Sequence, residues 1–249
     1  MKSFYTYLIN LDTATRRLQR MDEQLRMHQI PYERVSAVIG DELSEPIKNF
    51  DAAGYRLRIG KMINKREIGC YFSHIKAMRR FLCSEHSHAL ILEDDATLRE
   101  GLCPLLEKVI AGSDQWDLLR LSSSRQGHYL ELRQLNELHR LAINTKVLKN
   151  TAAYLINRHA AHQCVNGLLP MRRPFDVALD RDWKLDMRTA CVIPFPIGHG
   201  EIPSQIPPTP RIQPWRATTF HLFHLMDRVT RWRYRKRIFS DCHDRQDSA

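Results

Sequence analysis

The chain has 249 residues, a formal net charge of +10, 43% hydrophobic and 27% charged residues, which fits one large α/β domain or a domain with an appendage. Its six cysteines show neither C-x-x-C pairing nor zinc-type spacing, so they indicate neither a disulfide framework nor a structural zinc site. Because no signal peptide is recognisable and no apolar stretch is long enough to span a bilayer, we expect a cytoplasmic protein.

Predicted strands and helices alternate along the chain. Residues 4–11 predict a first strand, and Leu18, Met21 and Leu25 fall on one face of the helix that follows. Further strands are predicted at 30–38, 88–92, 117–121 and 152–156, with helices at 67–85, 100–111 and 158–168 and a last core segment at 175–186. Segment 39–65 predicts loop and short helix, and 124–142 is polar and weakly patterned. This order predicts an α/β fold with a mostly parallel central sheet.

The most informative segment is the predicted strand 88–92, which ends at three consecutive acids, Glu93, Asp94 and Asp95. Crowded carboxylates repel one another and cost desolvation unless a cation lies among them, and a hard divalent metal is the usual partner. Ligands also bind at the carboxyl ends of strands in open α/β sheets. The alternative for an isolated acidic triplet is a turn that leads into a helix.

Four other segments accompany the acidic one: Ile9-Asn10-Leu11-Asp12 with Arg17 and Met21, Arg66-Glu67-Ile68-Gly69-Cys70 with Ser73-His74, Thr151-Ala152-Ala153-Tyr154-Leu155-Ile156 with Ala160-Ala161, and Pro174-Phe175-Asp176. In this order, over roughly residues 4–180, the five resemble the motifs of glycosyltransferase family 25. Arg66 and Asn150 stand where the family usually has glycine. The likeness is strongest to the lipopolysaccharide and lipooligosaccharide galactosyltransferases of Gram-negative bacteria.

The resemblance implies a GT-A-like fold, a UDP-sugar donor, a divalent cation (commonly Mn²⁺, with Mg²⁺ as the alternative) and an inverting transfer. Asp95 is then the first candidate metal ligand, and Glu93 is a ligand through water or a ribose contact. The candidate donor-binding residues are Asn10, Asp12, Arg17, Glu67, Ser73, His74, Glu93 and Asp94. For Arg17 the open alternative is a surface ion pair with Asp12 or Asp22, and for His74 it is a structural role.

Inverting transfer also needs a base near the acceptor hydroxyl. Asp176 lies in a matching segment at an apparent helix start, and Asp180 follows one turn later. We therefore predict Asp176 as the base, with Asp180 as a second candidate. The alternatives for Asp176 are a helix cap and a contact to the hydroxyls of the donor hexose.

Three segments are predicted: a catalytic domain at 1–193, a proline-rich linker at 194–214 and a basic tail at 215–249. Residues 216–237 carry seven Arg or Lys against one acid, which is +6 of the net +10. The remaining chain is therefore close to neutral, and we expect no nucleic-acid partner.

The tail predicts a basic amphipathic helix. Its apolar positions are Leu222, Leu225, Met226 and Val229, and its opposite face carries His224, Arg228, Arg231 and Arg235. Such a helix is typical of a membrane-surface element, so residues 215–239 predict binding to an anionic membrane. The alternative is a helix that packs its apolar face on the domain and exposes its basic face.

The sequence thus predicts a hexosyltransferase, most of all a galactosyltransferase, that acts on a lipid-linked lipopolysaccharide-core acceptor at the inner face of the bacterial inner membrane. Two rival interpretations remain open. One is a metal-dependent nucleotidyltransferase, although the glycine-rich phosphate loop with lysine that such enzymes usually carry is absent from the sequence. The other is a membrane-peripheral sugar-nucleotide-binding protein that has lost activity.

Overall fold

The computed structural model describes residues 4–199 and 219–246 of the chain. The strands are β1 (Tyr5–Asn10), β2 (Tyr32–Ser36), β3 (His88–Glu93), β4 (Ala96–Leu98), β5 (Leu118–Arg120), β6 (Tyr129–Gln134), β7 (Arg140–Asn144), β8 (Ala153–Asn157), β9 (Thr189–Ile193) and β10 (Ile197–His199). The helices are α1 (Thr15–Met27), α2 (Ala52–Ile59), α3 (Lys65–Leu82), α4 (Leu102–Ile110), α5 (Arg158–Gly167), α6 (Phe175–Leu179), α7 (Asp182–Leu185) and α8 (Thr219–Gln246).

An eight-stranded sheet with the order β2-β1-β3-β8-β5-β9-β7-β6 forms the centre of the fold. Strand β1 runs parallel to β2 and β3, and β9 runs parallel to β5. Strand β8 is antiparallel to β3 and β5, and β7 is antiparallel to β9 and β6. Six strands therefore point one way and only β7 and β8 point the other. The predicted α/β class with a mostly parallel sheet and a C-terminal helix is confirmed.

Strand β3 is buried on both faces, as its unbroken apolar run predicts. Leu90 and Leu92 pack into a core that α1 and α4 cover on one side of the sheet. Ala89 and Ile91 pack into a second core, which α3 and α5 cover on the other side. A strand with both faces occupied is fixed in register, because a shift of one residue would exchange every side chain between the two cores. This rigid strand carries the acidic triplet at its end.

The weakly patterned stretch 124–142 contains structure that the sequence did not predict. Strands β6 and β7 pair as an antiparallel hairpin at the edge of the sheet. The alternation of apolar and charged residues in β6 covers only Leu130 to Arg133, and the pairing of β6 with β7 shifts in register between Glu131 and Arg133. Of the predicted linker 194–214, the described part includes β10, which pairs with β4. Residues 200–218 lie outside the described ranges.

The C-terminal helix α8 docks on the domain through two of its arginines and not through its apolar face. Arg231 and Arg235, which the prediction left facing solvent, are 3% and 2% exposed. Leu222, Leu225 and Met226 are 57–59% exposed, and Val229 and Trp232 are also exposed. The prediction that both arginines are available to a membrane surface is therefore wrong, and the alternative that the apolar face packs on the domain is wrong as well.

Buried ion pairs explain this orientation. Arg235 contacts Asp182 at 2.8 Å and Asp180 at 3.0 Å, and Arg231 contacts Asp180 at 3.1 Å. Each buried charge thus meets an opposite one, which compensates its desolvation. No helix among the described residues has an apolar run long enough to cross a bilayer.

Candidate active site

Three of the predicted motifs meet at one edge of the sheet. Strand β1 ends at Asn10 and β3 ends at Glu93, and these parallel neighbours pair Ile9 with Glu93. The antiparallel strand β8 begins at the same edge, where the Glu93 amide donates a hydrogen bond to Ala152 O at 2.8 Å. The chain reversal before β8 therefore brings its motif beside the acidic triplet.

These strand ends form one wall of a cavity of about 570 Å³, which we call the acidic cavity. Its volume lies within the range of small-molecule sites, roughly 300–1,000 Å³. The predicted site residues that line it are Asn10, Arg17, Ser73, His74, Glu93, Asp94 and Asp95. Asp12 and Glu67 are not among its lining residues.

Asp94 is bound by two side chains from the start of the chain. Arg17 Nη1 donates to Asp94 Oδ1 at 2.8 Å, and Asn10 Nδ2 donates to Asp94 Oδ2 at 2.8 Å. The predicted alternatives for Arg17, pairs with Asp12 or Asp22, are replaced by this contact. Both oxygens of Asp94 therefore already have donors, which indicates that this carboxylate joins the β3 turn to the start of α1.

Asp95 has the opposite environment. Its Oδ1 is buried and has no hydrogen-bond partner among the described residues. Burial and repulsion by Glu93 and Asp94 raise the pKa of Asp95 to about 6, against a smaller opposing effect of Arg17. A buried oxygen without a partner beside other carboxylates suits a hard divalent cation. The residues present thus fit a metal held by Asp95 with Glu93.

Glu93 is oriented by two neighbours. Thr151 Oγ1 donates to Glu93 Oε1 at 3.2 Å, and His74 Nε2 lies 3.3 Å from the same oxygen. His74 is fully buried, stacks on Phe175 with 4.1 Å between ring centroids, and has Nδ1 3.1 Å from the Tyr154 hydroxyl. This histidine therefore holds Glu93 in place from the interior.

A second ligand set is geometrically available, because donor atoms of Cys70, His74 and Glu93 lie within 4.8 Å of one another. Burial and the nearby carboxylates, Glu93 foremost, raise the pKa of the Cys70 thiol well above its ordinary value. Hard cations such as Mn²⁺ and Mg²⁺ prefer carboxylate oxygens to a thiol. The oxygen ligands of Glu93 and Asp95 therefore suit such a cation better than the set with Cys70.

The glycine and serine of the α3 motif fix another wall of the acidic cavity. A Cβ at Gly69 would lie 2.5 Å from Val38 O, so only glycine lets the segment after β2 cross α3 this closely. Ser73 Oγ accepts a hydrogen bond from Val38 N at 2.8 Å and donates to Gly69 O at 2.7 Å. These two hydrogen bonds occupy the Ser73 hydroxyl, and the predicted contact of Ser73 to the UDP-sugar would compete with them.

Asp176 lies near the acidic triplet through a short connection. The Asn150 amide lies 3.5 Å from Asp176 Oδ2, and Asn150 is followed by Thr151, the donor to Glu93. Asn150 has φ 74°, a left-handed conformation that glycine adopts without strain and asparagine tolerates. The replacement of the family's usual glycine therefore preserves the backbone here.

Glu67 lies behind this connection and bonds to the Tyr55 hydroxyl. Burial raises the pKa of Glu67, the Tyr55 bond lowers it, and Asp176 raises it further. Asp176 and Glu67 thus lie close to Cys70, which lines the acidic cavity, although neither carboxylate lines it.

Two predicted site residues have other partners. Asp180 is 1% exposed and paired with Arg231 and Arg235, so it is not placed to accept a proton from a substrate. This arrangement contradicts its predicted catalytic role. Asp12 is exposed at the end of β1, where it pairs with Arg34 and accepts a hydrogen bond from Ser36 at 2.9 Å. The structure therefore gives Asp12 a contact to β2 rather than a place in the cavity.

Residues 4–179 match the model of the family described as "Glycosyltransferase family 25 (LPS biosynthesis protein)". This range contains all five motifs. The chain belongs to this family. It is also similar to a protein of Haemophilus influenzae (strain ATCC 51907 / DSM 11121 / KW20 / Rd) named "Putative glycosyltransferase", with 27% identity over 176 residues. That match covers 71% of this chain and 61% of the relative, so the chain spans less than two thirds of the relative's length.

Solved structures resemble the chain more distantly. The galactosyltransferase LgtC in complex with donor and acceptor sugar analogues has a TM-score of 0.43 and 14% identity, over 89% of this chain and 94% of that one. The protein A197 from STIV has a TM-score of 0.41 and 16% identity, over 76% and 80%.

Sequence reasoning missed Arg120, which is buried and donates a hydrogen bond to Asn150 O. This contact holds the segment that joins Asp176 to Glu93. The signal was a single arginine within the apolar segment Leu118–Arg120, where an unpaired charge would be costly. Its partner could not be found from the sequence, because it lies 30 residues away.

Proposed function

We propose that this chain is a metal-dependent inverting glycosyltransferase that moves a hexose, most of all galactose, from a UDP-sugar to a lipopolysaccharide-core acceptor. One observation carries the proposal: the buried, unpartnered oxygen of Asp95 lies beside Glu93 in the acidic cavity. Membership of family 25 supports the reaction class. The cavity volume of about 570 Å³ is compatible with a nucleotide-sugar.

In this proposal Asp95 and Glu93 hold a divalent cation, which when bound neutralises the diphosphate and acts as a Lewis acid on the leaving group. His74 and Thr151 keep Glu93 in its orientation, since both contact its Oε1. Arg17 on α1 and Asn10 at the end of β1 hold Asp94, which aligns the wall of the cavity. The phosphates would lie near the start of α1, because the N-terminus of a helix favours negative charge.

Asp176 is the proposed base. The acceptor oxygen attacks the anomeric carbon, and its proton passes to the Asp176 carboxylate. As the new glycosidic bond forms, the bond from the anomeric carbon to the diphosphate oxygen breaks and UDP leaves with the electron pair. The approach of Asp176 to Asn150, next to Thr151, supports this role because it brings the carboxylate close to the acidic cavity.

We further propose peripheral attachment to the inner face of the bacterial inner membrane, where a lipid-linked acceptor would be met. The support is the exposed stripe on α8 formed by Leu222, Leu225, Met226, Val229 and Trp232. The exposed side chains of Arg228, Arg233, Lys236 and Arg237 flank it and suit anionic headgroups. Two of the basic residues counted in the prediction, Arg231 and Arg235, are buried and do not take part in this contact.

The deciding experiment measures UDP release from a panel of UDP-hexoses with a deacylated lipopolysaccharide-core acceptor, with Mn²⁺ or EDTA. Wild type is compared with Asp95→Asn and with Asp114→Asn, which makes the same change at an exposed aspartate. We expect turnover of one donor, lost with EDTA and with Asp95→Asn and retained in Asp114→Asn. Equal turnover in EDTA would contradict the metal site. Absence of UDP binding in wild type would contradict the donor site, whereas UDP binding without turnover of any donor would favour the non-catalytic interpretation.

A further inference from the structure

A second cavity, of about 420 Å³, opens between α2, the segment around Lys146, α6 and α8. We call it the basic cavity, because eight of the residues that line it are Arg or Lys and Asp227 is the only acid among its described lining residues. The basic ones are Arg58, Lys61, Arg125, Lys146, Lys149, Arg173, Arg228 and Arg231. They come from five separate segments of the chain, so the charge cluster is a product of the fold.

Most of this charge has no internal counterpart. Asp227 is shared between Arg173 at 3.1 Å and Arg181 at 2.9 Å, and Arg231 pairs with Asp180 at 3.1 Å. Within residues 4–199 and 219–246, no salt bridge involves the other basic side chains, Arg58, Lys61, Arg125, Lys146, Lys149 and Arg228.

The basic side chains around the basic cavity repel one another. Burial and the neighbouring Arg181 lower the pKa of Arg173 to about 10 against the effect of Asp227, and Arg58 and Arg231 lower it further. The six basic side chains without a salt bridge repel one another and attract counter-ions. A bound anion would relieve this repulsion.

The basic cavity adjoins the proposed base. Pro174 and Val177 line it, and Asp176 lies between them on α6. Lys61 and Lys149 also lower the pKa of Glu67, the carboxyl that lies beside Asp176. Asp176 itself lines neither cavity, so a saccharide held in the basic cavity would extend past Pro174 and Val177 to bring a hydroxyl to Asp176 and to the donor in the acidic cavity.

We propose that the basic cavity binds an anionic saccharide, one that carries phosphate or carboxylate groups, and that this saccharide is the acceptor of the transferred hexose. This inference rests on the proposed function, because it assigns the acceptor side of the same reaction. Arginine side chains bind phosphate and carboxylate through paired hydrogen bonds, and lysine adds a mobile charge. Ile59 and Phe220, which also line the cavity, provide apolar surface for the faces of sugar rings.

The test measures binding of glucose 6-phosphate, glucuronate and glucose to the full chain by ligand-detected NMR at low ionic strength. We expect both anionic sugars to bind at least about tenfold more tightly than glucose, since charge-assisted bonds add to the contacts of the ring. Arg125→Gln/Lys146→Gln removes two exposed charges from the cavity and is expected to weaken anion binding about tenfold. Arg79→Gln/Lys108→Gln, the control, removes two exposed charges that line neither cavity.

Equal weakening by the two double variants, or no preference over glucose, would overturn the proposal. Binding of wild type and of the cavity variant to phosphatidylglycerol vesicles is measured as well. If the cavity variant loses vesicle binding while the wild type binds neither anionic sugar, the cations serve lipid headgroups and the saccharide assignment is wrong. UDP binding with Mn²⁺ is measured on the same samples. If the wild type does not bind UDP, the proposed donor site is wrong, and with it the acceptor role of the basic cavity. A measured anionic-sugar site in the basic cavity would still stand.

Discussion

Arg17 Nη1 and Asp94 Oδ1 lie 2.8 Å apart, although 77 residues separate them in the chain. With Asn10 on its other oxygen, Asp94 is the member of the acidic triplet that the protein itself neutralises. Asp95 has a buried oxygen without a partner among the described residues. Three consecutive acids thus divide into one that pairs with Arg17 and Asn10 and two, Glu93 and Asp95, that we propose as ligands of a cation.

This division predicts opposite effects of two matched substitutions. Asp94→Asn replaces a charge opposite Arg17, so we expect it to lower the free energy of unfolding by about 2 kcal/mol and to leave Mn²⁺ binding measurable. Asp95→Asn removes a buried carboxylate that its neighbours repel, so we expect Mn²⁺ binding to be lost and stability at pH 7 to be unchanged or higher. Urea unfolding and metal titration measure the two effects. Loss of metal binding in both variants would show that Asp94 is a ligand.

The proposed base predicts a separation of kcat from donor binding. Asp176→Asn is expected to reduce kcat about 100-fold or more and to leave the affinity for UDP unchanged, because only the proton acceptor is removed. Glu67→Gln is the comparison, since Glu67 lies beside Asp176 but bonds to Tyr55. Steady-state kinetics against donor and acceptor provide the measurement. A larger loss of kcat in Glu67→Gln would move the base to Glu67.

The docking of α8 through buried ion pairs predicts that the free energy of unfolding depends strongly on Arg235. Arg235→Met leaves Asp180 and Asp182 buried with fewer partners, so we expect the free energy of unfolding to fall by about 3–5 kcal/mol. Arg233→Met, on the exposed side of the same helix, is expected to change it by less than about 0.5 kcal/mol. Chemical denaturation of the two variants measures both. Equal effects would mean that the ion pairs do not fix the helix.

The exposed stripe of α8 predicts membrane binding through apolar contact. Leu225→Ser/Met226→Ser is expected to reduce the partition onto phosphatidylglycerol vesicles at least about tenfold, because two exposed apolar side chains no longer enter the lipid. Met27→Ser/Leu138→Ser provides the control, since both side chains are exposed elsewhere on the surface. Vesicle sedimentation measures the difference. If Leu225→Ser/Met226→Ser binds vesicles as well as the wild type does, the apolar stripe does not contribute and only the flanking basic side chains can attach the helix.

Asp117 predicts a loss of stability in acid. Burial alone would raise its pKa, but hydrogen bonds from Arg188 and Asn157 lower it below the ordinary value of 3.8. A carboxyl whose pKa is lower in the folded state contributes stability above its unfolded pKa and loses it as pH falls through the folded pKa. The difference in unfolding free energy between wild type and Asp117→Asn is therefore expected to be about 2 kcal/mol at pH 7 and to shrink below pH ~4.

Denaturation at several pH values measures this trend, and Asp114→Asn is the exposed control. Arg188 donates to both Asp117 oxygens, at 2.9 and 3.0 Å, and thereby joins the start of β9 to the start of β5. A difference that stays constant from pH 7 to pH 3 would show that the charge of Asp117 contributes nothing to this junction.

The amino-acid sequence by itself determined the elements that depend on local pattern. The apolar run before Glu93 specified a doubly buried strand, and the spacing of Leu18, Met21 and Leu25 specified the first helix. The placement of acids at the carboxyl end of that strand located the acidic cavity, because parallel strands gather their ends at one edge. These features follow from side-chain period and strand direction, which a linear chain already contains.

Only the tertiary structure decided which charges meet. The pairing of Asp94 with Arg17, the burial of Arg231 and Arg235 against Asp180, and the assembly of the basic cavity join segments far apart in the chain. The pattern of α8 gave its two faces but not the one that docks, since that depends on buried acids on α6 and α7 that can neutralise its arginines. A buried charge needs a partner, and the partner is found only when the chain has folded.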